Sequence, residues 1–235
     1  PDLERTLGSI PAAKTKPTRW VDRKVVFADK HVRETVHAGR EPRATTTLTL
    51  RSYDGSDPDE WHRVRTACSI LERRLREGLR EDRGATYGVG VGYMHSLIGP
   101  ERGRVAVRYG SDPADAESLG EDVLRTIRAL QETGPTAEEL ATEKELQTRE
   151  LQTSLRENGF WLGSLSALWL RGRPLTEVLD RQARIDALDV AGLHRVFRGA
   201  FDSRHMTWVD WLPAEERGAG DEIPSPQSCG SPRGR

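Results

Sequence analysis

Cysteine is nearly absent from this 235-residue sequence, with Cys68 and Cys229 the only two. One falls inside a helical pattern and the other in a tail of Gly, Pro and Ser, so they build neither a disulfide framework nor a thiolate metal site. Long apolar runs are missing too. Hydrophobic residues make up 35% and charged residues 31%, and no stretch approaches the roughly 18 apolar residues of a membrane-crossing helix, so the chain reads as soluble. Charge imbalance is also lacking: 36 Lys+Arg nearly cancel 37 Asp+Glu, and the two signs alternate within the same segments. That excludes the basic stripe of a nucleic-acid binder. No internal repeat occurs. The chain starts at Pro1 with no initiator methionine or signal-like segment, and reads as a piece of something longer.

What is present reads as one domain. Residues 1–20 mix prolines, charges and small residues around "LGSIP" and look like a linker into a domain over 21–213, while 214–235 have the composition of a disordered tail. Val25–Gly39 and Ala44–Ser52 are rich in β-branched residues and read as strands. A helix starts at a Ser56 or Asp57 cap and repeats Trp61, Val64, Cys68, Leu71, Leu75 and Leu79 at helical steps. Thr86–Leu97 and Gly103–Gly110 alternate as strands around a hairpin loop. Asp112 and Pro113 open the next helix, with Leu119, Val123, Ile127 and Leu130 on one face, and Gly134 and Pro135 stop it. Thr136 and Glu139 form a capping box for a surface helix to about Glu157, anchored by Leu140, Leu151 and Leu155. Trp161, Leu165, Leu168 and Trp169 share helical spacing and read as core. Two more helices follow from Leu175 and Val190, and Met206–Leu212 reads as a strand. The order predicts an α+β fold, a mostly antiparallel sheet with helices packed on one face.

The chemistry concentrates in "LREDRGATYGVGVGYMHS", Leu79 to Ser96. Arg80 stands seven residues before Tyr87, and spacing alone fits both a functional pair and a surface-helix arginine followed by a half-buried strand tyrosine. Gly88, Gly90 and Gly92 share one strand face while Val89, Val91 and Tyr93 share the other, so the glycine side admits close packing or an extended substrate. A dinucleotide loop is excluded, since Tyr93 replaces the third glycine of G-x-G-x-x-G and the run lies inside a strand. The histidines are His31, His37, His62, His95, His194 and His205, and none lies three residues before a Glu-His pair. In "HVRETVH" strand alternation turns Glu34 away from His31 and His37, which disfavours a metal site.

Taken in order, "LGSIP", "REPRATTTLTL", "LERRLREGLREDRGATYGVGVG", "GPTAEEL" and "ENGFWLGSL" resemble the C-terminal half of the insulinase-like (pitrilysin, M16) zinc peptidases, bacterial type, over roughly Leu3 to Pro213. The resemblance implies one half of a clamshell. The family's zinc site, an inverted H-x-x-E-H, belongs to the other half and is absent here. This chain is then expected to carry no metal or cofactor and to be inactive alone, with zinc in a complementary catalytic half on the same polypeptide or a separate subunit. Arg80 and Tyr87 match the arginine and tyrosine with which the family's C-terminal half meets bound peptide, and Gly88 and Gly90 would line the same wall. The expected function is the substrate-binding, catalysis-assisting half of a zinc-dependent endopeptidase, with peptide as substrate and neither nucleic acid nor membrane as partner. The alternatives are a non-catalytic scaffold subunit of a hetero-oligomeric complex, or an inactive truncated fragment. Bacterial periplasm and cytoplasm both stay open as compartments.

Overall fold

The computed structural model describes residues 5, 30–53, 55, 57–83, 86–95 and 103–214, with residues 79–83, 86 and 87 described by backbone alone. The proposed linker and tail therefore lie outside the described residues almost entirely. Five strands form one sheet: β1 (Val32–His37), β2 (Ala44–Arg51), β3 (Thr86–His95), β4 (Gly103–Ser111) and β5 (Asp202–Leu212), in the order β1-β5-β2-β4-β3. Among the described residues, only the β1–β5 pair is parallel. The mostly antiparallel α+β sheet read from the sequence is the one observed.

Alternation decides which face of the sheet is covered. In β2, Ala44, Thr46, Leu48 and Leu50 are fully buried while Thr45, Thr47 and Thr49 are half-buried, as expected of a sheet with one face packed and one open. The packed face meets helix α1 (Pro58–Arg83), whose Val64, Leu71 and Leu75 are buried, helix α2 (Ala116–Thr133) through Leu119, Val123 and Ile127, and helix α6 (Val190–Ala200) through Leu193 and Phe197. Each such side chain contributes about 1.5–3 kcal/mol when fully buried. Asp57 caps α1, accepting the Asp59 N–H at 2.9 Å, and Asp112 accepts the Ala114 N–H at 3.0 Å at the short 3-10 turn before α2.

Helix α3 (Ala137–Ser154) begins in the expected capping box: Thr136 Oγ1 accepts the Glu139 N–H at 3.1 Å, and Glu139 Oε2 accepts the Thr136 N–H at 2.7 Å. The Glu139 carboxylate also takes both Nε and Nη2 of Arg74, at 2.5 and 2.8 Å. Glu143, one turn on and 5% exposed, takes Arg73 at 2.9 Å. These two pairs tie a polar helix to α1 where few apolar anchors are available. Leu155 is not one of them, being 40% exposed just past the helix end.

The larger correction concerns helix α4 (Asn158–Leu170). The expected tryptophan core is not there. Trp169 is 73% exposed, Leu162 73% and Leu170 64%, and Ser164 is the one buried residue of the helix. Apolar residues surround α4 on every side, so their spacing cannot say which face is inward, and a helix at the margin of the fold can cover only part of such a surface. After it, the helix expected from Leu175 is a 3-10 segment (Leu175–Asp180) running into the short helix α5 (Arg181–Asp186). Strand β1 starts at Val32, with residues 25–29 outside the described residues, and β5 starts four residues earlier than its apolar stretch, at Asp202.

Candidate functional site

Helix α1 and strand β3 follow one another across residues 84–85, so the backbone of Arg80 lies in the last turn of α1 and that of Tyr87 at the start of β3. The side chains of Arg80 and Tyr87 lie outside the described residues. The backbone there is informative in its own right. The register between β3 and β4 shifts between Thr86 and Val89, and Gly88 has φ +133°. An L side chain rarely adopts that conformation, so a glycine is required at this point of the irregularity. Irregular pairing of this kind re-aims neighbouring side chains and is frequent beside functional sites.

Beyond it, the glycine face is open. Gly88, Gly90 and Gly92 are exposed, and an added Cβ at any of them meets no atom within 4 Å. Close packing by the described residues therefore does not account for the three glycines. On the same uncovered side, Gly90, Arg108, Thr47, Val209 and Glu34 stand in register across all five strands. The surface so formed is small-residue at its β3 edge and hydroxyl-rich at its centre, with Arg108 exposed beside the glycines.

Strand β3 is also a sheet edge, and part of that edge is occupied. Glu72 Oε2 accepts the Val91 N–H at 2.9 Å, and Arg76 holds the same carboxylate at 2.5 Å. A helix carboxylate thus takes the place that a neighbouring strand's carbonyl would fill, which blunts the edge against unwanted pairing.

At the far end of β3 lies a cluster that sequence reasoning missed. His95 stacks on Trp61 with ring centroids 4.3 Å apart, and its Nε2 lies 2.6 Å from Nη2 of Arg171, which itself sits 4.9 Å over the Trp61 ring. The guanidinium can only donate, so Nε2 accepts and the proton sits on Nδ1. Burial first, and then the charge of Arg171, lower the His95 pKa to about 4, so the imidazole is neutral at neutral pH. The cluster joins α1, β3 and the end of α4. Its partners are 76 residues apart in sequence, and no local motif announces such a meeting.

The sequence profile described as the Peptidase M16 inactive domain matches residues 2–146, more than half of the chain. The chain belongs to the M16 peptidase family. Among curated proteins it is similar to a zinc protease PQQL-like protein of Arabidopsis thaliana, 27% identical over 114 residues, which is 46% of this chain and 12% of that protein. Among solved structures it is similar to a peptidase M16 inactive domain from Pseudomonas fluorescens (TM-score 0.68, 24% identity, 80% of this chain and 45% of that one). It is also similar to the ferredoxin protease FusC in complex with Arabidopsis ferredoxin (TM-score 0.72, 17% identity, 91% and 23%) and to the periplasmic protease PqqL of Escherichia coli (0.67, 17%, 90% and 23%). The chain spans less than half the length of each of these M16 relatives.

Zinc does not fit the residues described in this M16 domain. No group of three or more His, Cys, Asp or Glu among them could hold a metal. His31 and His37 are separated by six residues of extended chain, about 20 Å, and Glu34 stands opposite Val209 on the other face of the sheet from His37. No helix of the described residues is long and apolar enough to cross a membrane.

Proposed function

We propose that this M16 domain is the substrate-facing, non-zinc half of a zinc-dependent endopeptidase, with the catalytic zinc supplied by a complementary half on the same polypeptide or a separate subunit. The observation that supports this most directly is the bare glycine face of β3, left uncovered by the described residues immediately after the irregularity that carries Tyr87. An extended peptide can lie against backbone there with no side chain in its way. Zinc bound in the complementary half would supply the Lewis acid and the attacking water. The residues of this chain bind and orient. Arg80 offers a fixed fork of donors to substrate carbonyls, and the neutral Tyr87 phenol donates a hydrogen bond to the carbonyl oxygen as negative charge develops on it. Gly88 and Gly90 line the wall beside them, and the domain over residues 21–213 is the unit that does this.

Steady-state kinetics of the full protease on one defined peptide test the proposal. Tyr87→Phe should lower kcat by about 10²-fold, the lower end for a lost oxyanion donor, with little change in KM. Arg80→Ala should raise KM as kcat falls. Unaltered kcat in Tyr87→Phe, with an unaltered thermal melt, removes Tyr87 from the chemistry. The second reading, a non-catalytic scaffold subunit, draws on the exposed Leu162, Trp169 and Leu170 of α4, an apolar surface of the kind that marks association. It predicts that both variants leave kcat and KM unchanged.

A further inference from the structure

On the helical side of the sheet, away from the glycine face, α1, α3, α4 and α5 line a half-open cavity of about 430 Å³, within the range of small-molecule sites. Its charges do not balance among themselves. Arg184 is matched by Asp59 at 3.0 Å and by Glu177 and Asp180 at 3.7 Å, and Arg173 by Glu177 at 2.9 Å. Glu143 is taken by Arg73. Of the other lining guanidiniums, Arg171 is engaged by His95 and the Trp61 ring, while Arg65 and Arg181 have no carboxylate within ion-pair distance among the described residues. Arg65 lies on the exposed side of α1. Arg181 reaches only neutral groups, donating to Ser164 Oγ at 2.8 Å and lying 4.7 Å over the Phe160 ring. Burial, and then repulsion from Arg65 and Arg184, lower the Arg181 pKa, the direction a nearby anion would reverse. Glu150 also lines the cavity, exposed and unpaired among the described residues.

Two polar atoms packed behind the wall lack partners. His62 Nε2 and Gln147 Oε1 are shut off from solvent with no hydrogen-bond partner among the described residues, and an orphaned buried polar atom costs about 1–3 kcal/mol unless something satisfies it. Gln147 Nε2 already donates to Thr66 Oγ1 at 3.0 Å and to Glu143 Oε1 at 2.9 Å, so the free atom of that amide is its acceptor. Leu151, Phe160 and Leu168 give the wall an apolar part.

We propose that this cavity binds a small organic molecule that carries an oxyanion, a carboxylate or phosphate, on an apolar body. The oxyanion is held between Arg65 and Arg181, whose planar forks match either group. The apolar body lies along Phe160 and Leu151. His62, with its pKa lowered to about 4 by burial and by the neighbouring arginines, is neutral at pH 7 and can donate one ring N–H to the anion.

Isothermal titration of the chain with 4-phenylbutyrate, phenyl phosphate and the neutral 4-phenylbutanol tests this. Saturable binding of either anion with Kd of about 1 mM or tighter is expected, and the tighter of the two names the oxyanion. The alcohol should bind at least about tenfold more weakly, and Arg65→Gln should weaken the anion about tenfold, as for loss of a charge-assisted bond. Arg65 is exposed, so this variant tests the site even if Arg181→Gln fails to fold, and circular dichroism of both variants separates the two effects. Arg125→Gln, an exposed arginine on α2, should change nothing. No saturable binding of either anion, an alcohol that binds as tightly, or anion binding undiminished in Arg65→Gln overturns the proposal.

Discussion

At the scale of single residues, the fold keeps two histidines uncharged. His62 and His95 both have pKa values lowered from 6.5 to about 4, in each case by burial first and by arginines second. The sign of the consequence follows from proton counting. Between about pH 6.5 and pH 4 the unfolded chain binds protons at these positions that the folded chain does not, so stability rises with pH across that window and is lost as pH falls through it. Thermal melts at pH 7.5, 6 and 5 should show a falling melting temperature, and His62→Gln should flatten that fall, because glutamine has nothing to titrate. An equally steep fall in His62→Gln would move the effect to other groups. The sequence places Arg65 one turn from His62, but it does not show the burial that comes first in each shift, nor Arg184 and Arg171, the strongest charges on His62 and His95, which come from elements more than a hundred and nearly eighty residues away.

At the scale of elements, two helical glycines should respond to the same substitution with opposite signs. Gly120 brings α2 against the sheet: an added Cβ would lie 2.2 Å from the Trp208 ring and 2.9 Å from the Tyr109 hydroxyl, both side chains being fully buried. Alanine there gains up to about 1 kcal/mol of helix propensity but overpacks a closed core, which costs typically 1–3 kcal/mol and more when the neighbours cannot move. Gly120→Ala should therefore destabilise the domain. Gly163 of α4 has nothing within 4 Å of an added Cβ, and Gly163→Ala should raise the denaturation midpoint by the propensity gain alone. Urea melts of the two variants check both signs, and a stabilised Gly120→Ala would show that α2 can lift off the sheet. The contrast also marks what was legible beforehand. Strands β2 and β4 and helices α1 and α2 were readable because alternation or a one-sided stripe names both the element and its buried face. Helix α4 was readable as an element, but its all-round apolar surface left its burial undetermined. The open glycine face could be located to the residue, whereas its uncovered state depends on what the other helices leave bare.

At the scale of the whole molecule, an M16 domain whose described residues leave one sheet face uncovered and hold no metal-binding group should depend on something outside itself for catalysis. The chain alone is expected to bind no stoichiometric zinc, because tight sites need three or four ligands converging on one point, and to cleave no peptide. Its assembly with a separately produced M16 half bearing H-x-x-E-H should restore cleavage, with zinc entering through that half. Such an interface must bury more than about 1,000 Å² to be stable, and the open face of the sheet together with the exposed apolar residues of α4 offers surface on both sides of the domain. Size-exclusion chromatography of the mixture, followed by metal analysis of the peak, separates the outcomes. Co-elution with one zinc per pair and recovered peptidase activity supports the substrate-facing role. Co-elution and activity that survive Tyr87→Phe and Arg80→Ala unchanged place this domain as a scaffold. One tightly held zinc on the chain by itself would contradict the division of labour between the halves, and would require ligands from residues beyond those that form the sheet and its helices.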